Sequence, residues 1–353
     1  MRFLRRASLA IGTLAIGLSA TEPACAQGVS ELSVLTYNVE GLPWPVRTGR
    51  DADLARITQR LQELRHTGSQ PHIIVLEEAF SDAAQAIPIK AGYRFIADGP
   101  AASDAGAPAT LPADRAFLAQ ASFLSGETWG KWRGSGLRIA SDYPILAVKR
   151  AAYPAYACAG MDCLANKGVL LVTVAVPGAA QPVVIVATHL NSRRAAGVSF
   201  ERSFYAYRRQ VDFLTDFVRN NVASGMPLIV AGDFNAGQEP QRRAYLLRQA
   251  ETWRATAPVQ AALDTCLEAR TRCATQNGPD LLFSQQRGRD WQLFASGQAV
   301  SLALKSMCAL FGHDAQGRML SDHVGYAATY RIEGSRIQLA SAGLADGGAA
   351  RLR

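Results

Sequence analysis

Five apolar runs, spread along the chain, each end in polar residues able to do chemistry. They are LTYNVEGLP (residues 35–43), IIVLEEAF (73–80), VATHLNS (186–192), VAGDFNA (230–236) and LSDHVGY (320–326). A short, fully apolar run reads as a strand with both faces covered. Polar residues at its end lie where a rigid scaffold hands over to a loop. The residues so placed are hard oxygen donors and imidazoles: Asn38, Glu77, Glu78, His189, Asn191, Asp233, Asn235, Asp322 and His323. One such strand end means little; five in one chain point to metal-assisted hydrolysis of a phosphoester.

The segments between them set the fold class. Residues 53–66 are expected to be helical, with Leu54, Ile57, Leu61 and Leu64 on one face, as are residues 204–222, with Val211, Leu214, Val218 and Val222. A shorter helix is expected at 241–249. Residues 137–140 and 145–149 read as a hairpin around Asp142-Tyr143-Pro144, and 169–176 with 183–188 as another turning at Pro177-Gly178. Residues 100–112, rich in Ala, Gly, Pro and Asp, read as a surface loop, and 324–332 as the final strand. Strands arriving both in hairpins and singly between helices argue for an α/β protein with mixed sheets. No internal repeat recurs at a fixed period. A chain with 48% hydrophobic residues can bury a large core. Because the motifs reach both ends, one interleaved catalytic domain over 27–333 is simpler than two.

The first residues read as a secretory leader. Arg2, Arg5 and Arg6 precede an apolar stretch, 7–20, too short to span a bilayer, and Ala24-Cys25-Ala26 offers a cleavage site. Attachment of lipid at Cys25 fits less well after Glu22-Pro23-Ala24. The expectation is a signal peptide at 1–26, a secreted or periplasmic protein, and a loose tail at 334–353. The formal charge of +8 becomes +6 without Arg2, Arg5, Arg6 and Glu22. That favours anionic partners or membrane surfaces without choosing between them. Cys158 with Cys163 and Cys266 with Cys273 are the first-choice disulfides, leaving Cys308 unpaired. No His joins them at zinc-finger spacing.

In order and wording the motifs resemble the endonuclease/exonuclease/phosphatase superfamily, over residues 32–332. CAGMDCLANKGVLLVTV (158–174) is similar to the bacterial neutral sphingomyelinases, which carry a comparable Asn-Lys-Gly before a strand, here Asn166, Lys167 and Gly168. The resemblance implies a DNase-like, four-layer α/β/β/α sandwich of two packed mixed β-sheets, with the site at one edge between the sheets. It implies Mg²⁺, with Mn²⁺ or Co²⁺ as substitutes. Glu78 matches the principal metal ligand. Asn38 lies beside metal or phosphate, and Asp322 contacts the metal or its waters. His323 matches the catalytic His, and Asp280, in GPDLLF, the Asp that orients it.

The residue types suit such chemistry on their own terms. The Asp233 carboxylate can orient or activate water, and the Asn235 amide can hold a phosphate oxygen. His189 can donate to a phosphoryl or leaving oxygen, with Asn191 facing the same cleft. Lys167 beside Gly168 can bring an ammonium and backbone donors to a phosphate. Glu77, next to Glu78, should point to the other side of its strand. Each has a plainer reading taken alone: a turn Asn, a satisfied His, an Asx-turn, an exposed Lys. Whether His323 is a base or a cation stabilising the transition state stays open, as does one metal or two.

The expected reaction is in-line attack of water on a phosphodiester, with sphingomyelin, at a membrane surface, converted to ceramide and phosphocholine. Trp129 and Trp132, flanking Gly130-Lys131, suit an interface; residues 307–311 also do, although a buried strand is the better reading there. The alternatives are an exported DNase-like nuclease and an inositol-phosphate or phospholipid phosphatase. Arg193, Arg194, Arg202, Arg208 and Arg209 would serve nucleic acid, anionic headgroups or mere solvation. A silent binding module is disfavoured, because each core catalytic residue type is present. No obligate protein partner is inferred.

Overall fold

The protein is described by a computed structural model over residues 30–42, 47–254, 257–268 and 273–334. The expected leader at 1–26, and the expected tail beyond Gly334, lie outside the described residues. From the N-terminus come β1 (Ser30–Asn38), α1 (Arg50–His66), β2 (Ile73–Glu77), α2 (Asp82–Lys90), β3 (Phe95–Asp98), α3 (Pro112–Ala119), β4 (Arg138–Ser141) and β5 (Ile145–Ala152). Then follow β6 (Gly168–Val174), β7 (Val183–His189), α4 (Phe200–Asn221), β8 (Leu228–Asp233), α5 (Pro240–Glu251), β9 (Gln260–Ala261) and α6 (Ala262–Glu268). The last elements are β10 (Ala274–Gln276), α7 (Gly278–Arg287), β11 (Asp290–Ala295), β12 (Ser301–Phe311) and β13 (Gly325–Glu333).

The strands form two mixed sheets, ordered β10-β12-β13-β1-β2-β4-β3 and β5-β6-β7-β8-β11-β9. Strand alternation sorts their side chains into three apolar layers. Leu32, Val34, Ile73 and Val75 of one sheet meet Ile185, Ala187, Ile229 and Phe294 of the other in the central core. Leu35, Tyr37, Ile74 and Leu76 turn outward onto Leu54, Ile57 and Leu61 of α1. Val184, Val186, Val230 and Leu293 turn the opposite way onto Tyr207, Val211, Leu214 and Val218 of α4 and Leu246 of α5. The result is the expected α/β/β/α sandwich. Burying each such Leu or Val contributes roughly 1.5–3 kcal/mol, so the central interface holds the two sheets together and the two outer ones hold the helices on them.

The helices start where their caps dictate. α4 begins earlier than its apolar stripe, because the Ser199 hydroxyl accepts from Arg202 N. α1 begins after Gly49, whose φ of 72° makes the turn. One expectation fails for a tertiary reason. Strands β4 and β5 do not form a hairpin; β4 pairs with β2 and β3, while β5 crosses to the second sheet and pairs with β6. Residues 307–311 lie within β12, with Met307, Ala309 and Phe311 buried, in keeping with the buried-strand reading. GPDLLF lies at the start of α7. The expected hairpin β6–β7 does form. Cys158 bonds Cys163, Cys266 bonds Cys273, and Cys308 is free. No described helix is long and apolar enough to cross a membrane.

Candidate functional site

The inward face of each sheet is apolar along most of its length and becomes polar at one edge. In β1 the inward positions run Leu32, Val34, Thr36, Asn38; in β2, Ile73, Val75, Glu77; in β7, Ile185, Ala187, His189; in β8, Ile229, Ala231, Asp233. β11 starts at that edge with Asp290 before Gln292 and Phe294. Register aligns these ends: Asn38 is opposite Glu77, and Asp233 lies between His189 and Asp290. The same period-two pattern that builds the core thus delivers the polar cluster.

Glu78 joins by breaking the alternation. It follows β2 with φ of 55°, a conformation that disfavours side chains other than glycine and is found where surroundings impose it. Glu77 keeps the strand geometry and points into the intersheet core beneath the site, where the Thr36 hydroxyl donates to it at 3.3 Å. The expectation that Glu77 points away from Glu78 holds in this sense. Asn38 Nδ2 donates to Glu78 Oε1 at 3.0 Å and to Asp233 Oδ2 at 3.1 Å, and its Oδ1 accepts from Glu40 N. Asp233 Oδ1 accepts from Asn235 N at 2.9 Å. Asn235, also left-handed with φ of 46°, donates its amide to Leu190 O. Gly232 lets these strands approach, since a Cβ there would sit 2.0 Å from Thr188 O of β7.

The two imidazoles differ sharply. Burial would lower the His323 pKa, but the Asp290 and Asp233 carboxylates, with the Asp290 hydrogen bond, together raise it to about 10. Its Nδ1 donates to Asp290 at 2.8 and 2.9 Å, and its Nε2 faces Asp233 Oδ2 at 3.7 Å. The ring is therefore an imidazolium with one N–H aimed at the cluster. Burial, then the positive charges of Lys167 and His323, hold His189 well below its ordinary pKa. It is neutral, and its Nε2 lies 3.0 Å from Lys167 Nζ and 3.4 Å from Asp233 Oδ2. Burial raises the pKa of Glu78 and Asp233.

Asn38, Glu78, His189, Asp233, Asn235 and His323 thus converge, although they come from distant segments. Five expectations need correction. The partner of His323 is Asp290, not Asp280; Asp280 sits at the start of α7 and meets His313 at 2.5 Å. Asp322 is half-exposed and faces Arg289 at 3.3 Å and Arg287 at 3.9 Å, so its charge is answered by guanidinium groups. Asn191 is fully buried; its Oδ1 accepts from Ala159 N and its Nδ2 donates to Ser192 O, so the amide is engaged inside the protein rather than presented to a phosphate. Lys167 is buried beside the cluster, but its N–H groups go to Asp162, Leu190 O and His189 rather than outward. Correspondingly, His189 Nε2 accepts from Lys167 and is not poised to donate. Asn166 donates to Ala101 O and Asp104 O and shapes the loop.

Asp290 escaped the sequence reading. Its signal is an acid opening the alternating run Asp-Trp-Gln-Leu-Phe, weaker than a polar motif closing an apolar one. Arg287 and Arg289 escaped too. With Arg193, Arg194, Asn235 and Glu239 they line a cavity of about 460 Å³ adjoining the cluster. Arg202 and Arg209 are instead paired with Glu127 and Asp114.

A divalent cation fits this donor set. Ligand atoms of Glu78, His189 and Asp233 lie within 4.8 Å of one another, as do those of Asp233, Asp290 and His323. Glu78 and Asp233 are the better candidates: they are hard carboxylates that burial leaves short of compensating charge. The second group is already occupied by the Asp290–His323 hydrogen bond.

The sequence model of the Endonuclease/Exonuclease/phosphatase family matches residues 35–345. No curated protein matches the chain. Among solved structures, a beta toxin from Staphylococcus aureus, a double mutant with bound magnesium ions, superposes with a TM-score of 0.57 at 16% identity, covering 85% of this chain and 99% of that one. Sphingomyelinase C from Streptomyces griseocarneus gives 0.56 at 17% identity, covering 85% and 99%. D. rerio TDP2 complexed with single strand DNA product gives 0.53 at 16% identity, covering 85% and 99%. At these identities the likeness is one of fold.

Proposed function

The chain belongs to the Endonuclease/Exonuclease/phosphatase family, and on that premise we propose that it is a metal-dependent phosphodiesterase whose active site is the cluster of Glu78, Asn38, His189, Asp233, Asn235, Asp290 and His323. The observation that carries this reading is the meeting of Glu78, Asp233 and His323 at one edge of the two sheets. Glu78, with Asp233, would hold Mg²⁺, for which Mn²⁺ or Co²⁺ would substitute. A cation there would polarise a phosphoryl oxygen.

The chain's own groups divide the remaining work. Asp233 Oδ2, at the centre of the cluster, orients the attacking water. Nε2 of His323 faces the phosphoryl group and donates to it as charge develops, in the protonated form that Asp290 and Asp233 favour in the metal-free protein. Asp290 holds that ring in place and stabilises its positive charge. Asn38 fixes both carboxylates through one amide.

For the substrate we propose sphingomyelin at a membrane surface, cleaved to ceramide and phosphocholine. Support comes from the Asn166-Lys167-Gly168 segment and from the fold shared with Sphingomyelinase C. Trp132, 60% exposed and stacked on Trp129, supports contact with lipid. The two disulfides support an exported protein. A specific observation favours a second reading. The arginine-lined cavity suits a further phosphate, as in a polynucleotide, better than a cationic choline.

Mature protein offered sphingomyelin vesicles and single-stranded DNA, with Mg²⁺ and with EDTA, separates these readings. Phosphocholine release alone supports the first, and DNA cleavage alone the second. Glu78→Gln and His323→Asn should each lower turnover at least about 100-fold while remaining folded. Normal turnover in either variant would overturn the active-site assignment, and normal turnover in EDTA would overturn the metal dependence.

A further inference from the structure

Lys167 is unusual in being a buried ammonium whose contacts all lie inside the protein. Asp162 Oδ1 and Oδ2 accept from it at 2.7 and 2.9 Å, Leu190 O at 3.0 Å, and His189 Nε2 at 3.0 Å. Three N–H bonds are thereby accounted for. His189 Nδ1 is buried and has no hydrogen-bond partner among the described residues. The position and tautomer of this ring are therefore governed by Lys167, and those of Lys167 by Asp162. Asp162 in turn is fixed from two sides. Ser192 N donates to it at 3.2 Å, and it sits in the short turn closed by the Cys158–Cys163 disulfide. The carbonyl of Ala196 receives Met161 N, so the turn is docked on the loop that follows β7.

We propose that Asp162 is a positioning residue for His189, acting through Lys167, and that the Cys158–Cys163 disulfide makes this arrangement conditional on oxidation. The proposal rests on the active-site assignment above for its consequence to turnover, but not for its structural content. Asp162, through both of its oxygens, keeps the Lys167 Nζ aimed between Leu190 O and the ring. Opening the disulfide frees the turn that carries Asp162, and the ammonium then loses its counter-charge in a buried place, where an unpaired charge costs most. A trialkylphosphine performs the opening: with water it converts the disulfide to two thiols and leaves as its oxide. The other disulfide, Cys266–Cys273, lies on the far segment between α6 and β10 and has no contact with Lys167.

Nitrogen-15 histidine spectra of the mature, metal-free protein test this without turnover, with His189 assigned by its absence in His189→Asn. Oxidised wild type should show a single tautomer with the proton on Nδ1. Asp162→Asn, Cys158→Ser/Cys163→Ser and phosphine-reduced wild type should show mixed tautomers. In the active-site assay kcat should fall about 10–100-fold with KM nearly unchanged, and Asp162→Glu should recover part of it. Cys266→Ser/Cys273→Ser should match wild type in both measurements. The proposal is overturned if Asp162→Asn and the reduced protein both keep the single tautomer. Should Asp162→Asn not fold, the reduced protein and the Cys158→Ser/Cys163→Ser variant decide. If wild type hydrolyses no phosphodiester, the active-site reading fails and the spectra still judge this one.

Discussion

Two histidines within one cluster hold opposite charge states, and the cause is their immediate neighbours. His323 faces Asp290 and Asp233; His189 faces Lys167. A folded pKa raised to about 10 stabilises the metal-free protein fully below the unfolded value of about 6.5, and this contribution is lost as pH rises through about 10. Asp290→Asn should therefore show a smaller loss of stability than wild type between pH 6.5 and 10. Urea melts across that range check it; parallel losses in the two proteins would contradict it. Glu77 makes the reverse case for a carboxyl. Burial first, then Asp290 and Asp233, hold its pKa well above the ordinary value. Folding therefore favours its protonated form, and its contribution to stability falls as pH rises above the ordinary value of about 4.5. Glu77→Gln should raise the melting temperature at pH 7.5 by a few degrees; scanning calorimetry would reveal an unchanged or lower value if Glu77 were ionised. Asn38, Glu78, Asp233 and His323 were legible because each closes an apolar run or sits in a distinctive triplet. Asp290 was not, since an acid that opens a strand looks like any turn residue, and Asp280 drew the role because its neighbours are more motif-like.

Elements were legible wherever one physical preference acted alone. α1 and α4 follow their apolar stripes, and their true starts follow capping and glycine geometry. The fully apolar β2 and β8 declare burial on both faces. The β4–β5 connection misleads because a turn sequence specifies a reversal, not which sheet receives the next strand. Close approach of β7 and β8 is a property of Gly232, whose φ of 145° and clearance from Thr188 O admit no side chain. Gly232→Ala should cost about 1–3 kcal/mol. Because His189 and Asp233 are opposite each other at that junction, it should also lower turnover. Denaturant titration and kcat measure the two effects; wild-type values for both would remove the argument.

At the scale of the molecule, two sheets pack so that their polar edges coincide, which concentrates buried negative charge at one rim. A cation that binds this rim in the folded state alone must stabilise the fold, by about 2.7 kcal/mol at a hundredfold excess over its dissociation constant. Mg²⁺ should raise the melting temperature of wild type, and Glu78→Gln should lose most of that rise. Equal shifts in both proteins would place the ion elsewhere. The layered architecture could be anticipated from alternation and apolar runs together with the motif resemblance. The arginine cavity could not, because Arg193 and Arg289 come from loops next to β7 and β11, distant in sequence and brought close only by strand order on either side of β8.

The position of β13 has one more implication. It is the last strand among the described residues, yet it lies in the interior of its sheet, between β12 and β1, and His323 lies two residues before it. A chain emerging from a ribosome or a translocation pore therefore has no competent centre until its C-terminal strand slots home. Under the proposed function, synthesis order itself would keep the centre silent while the chain is being made.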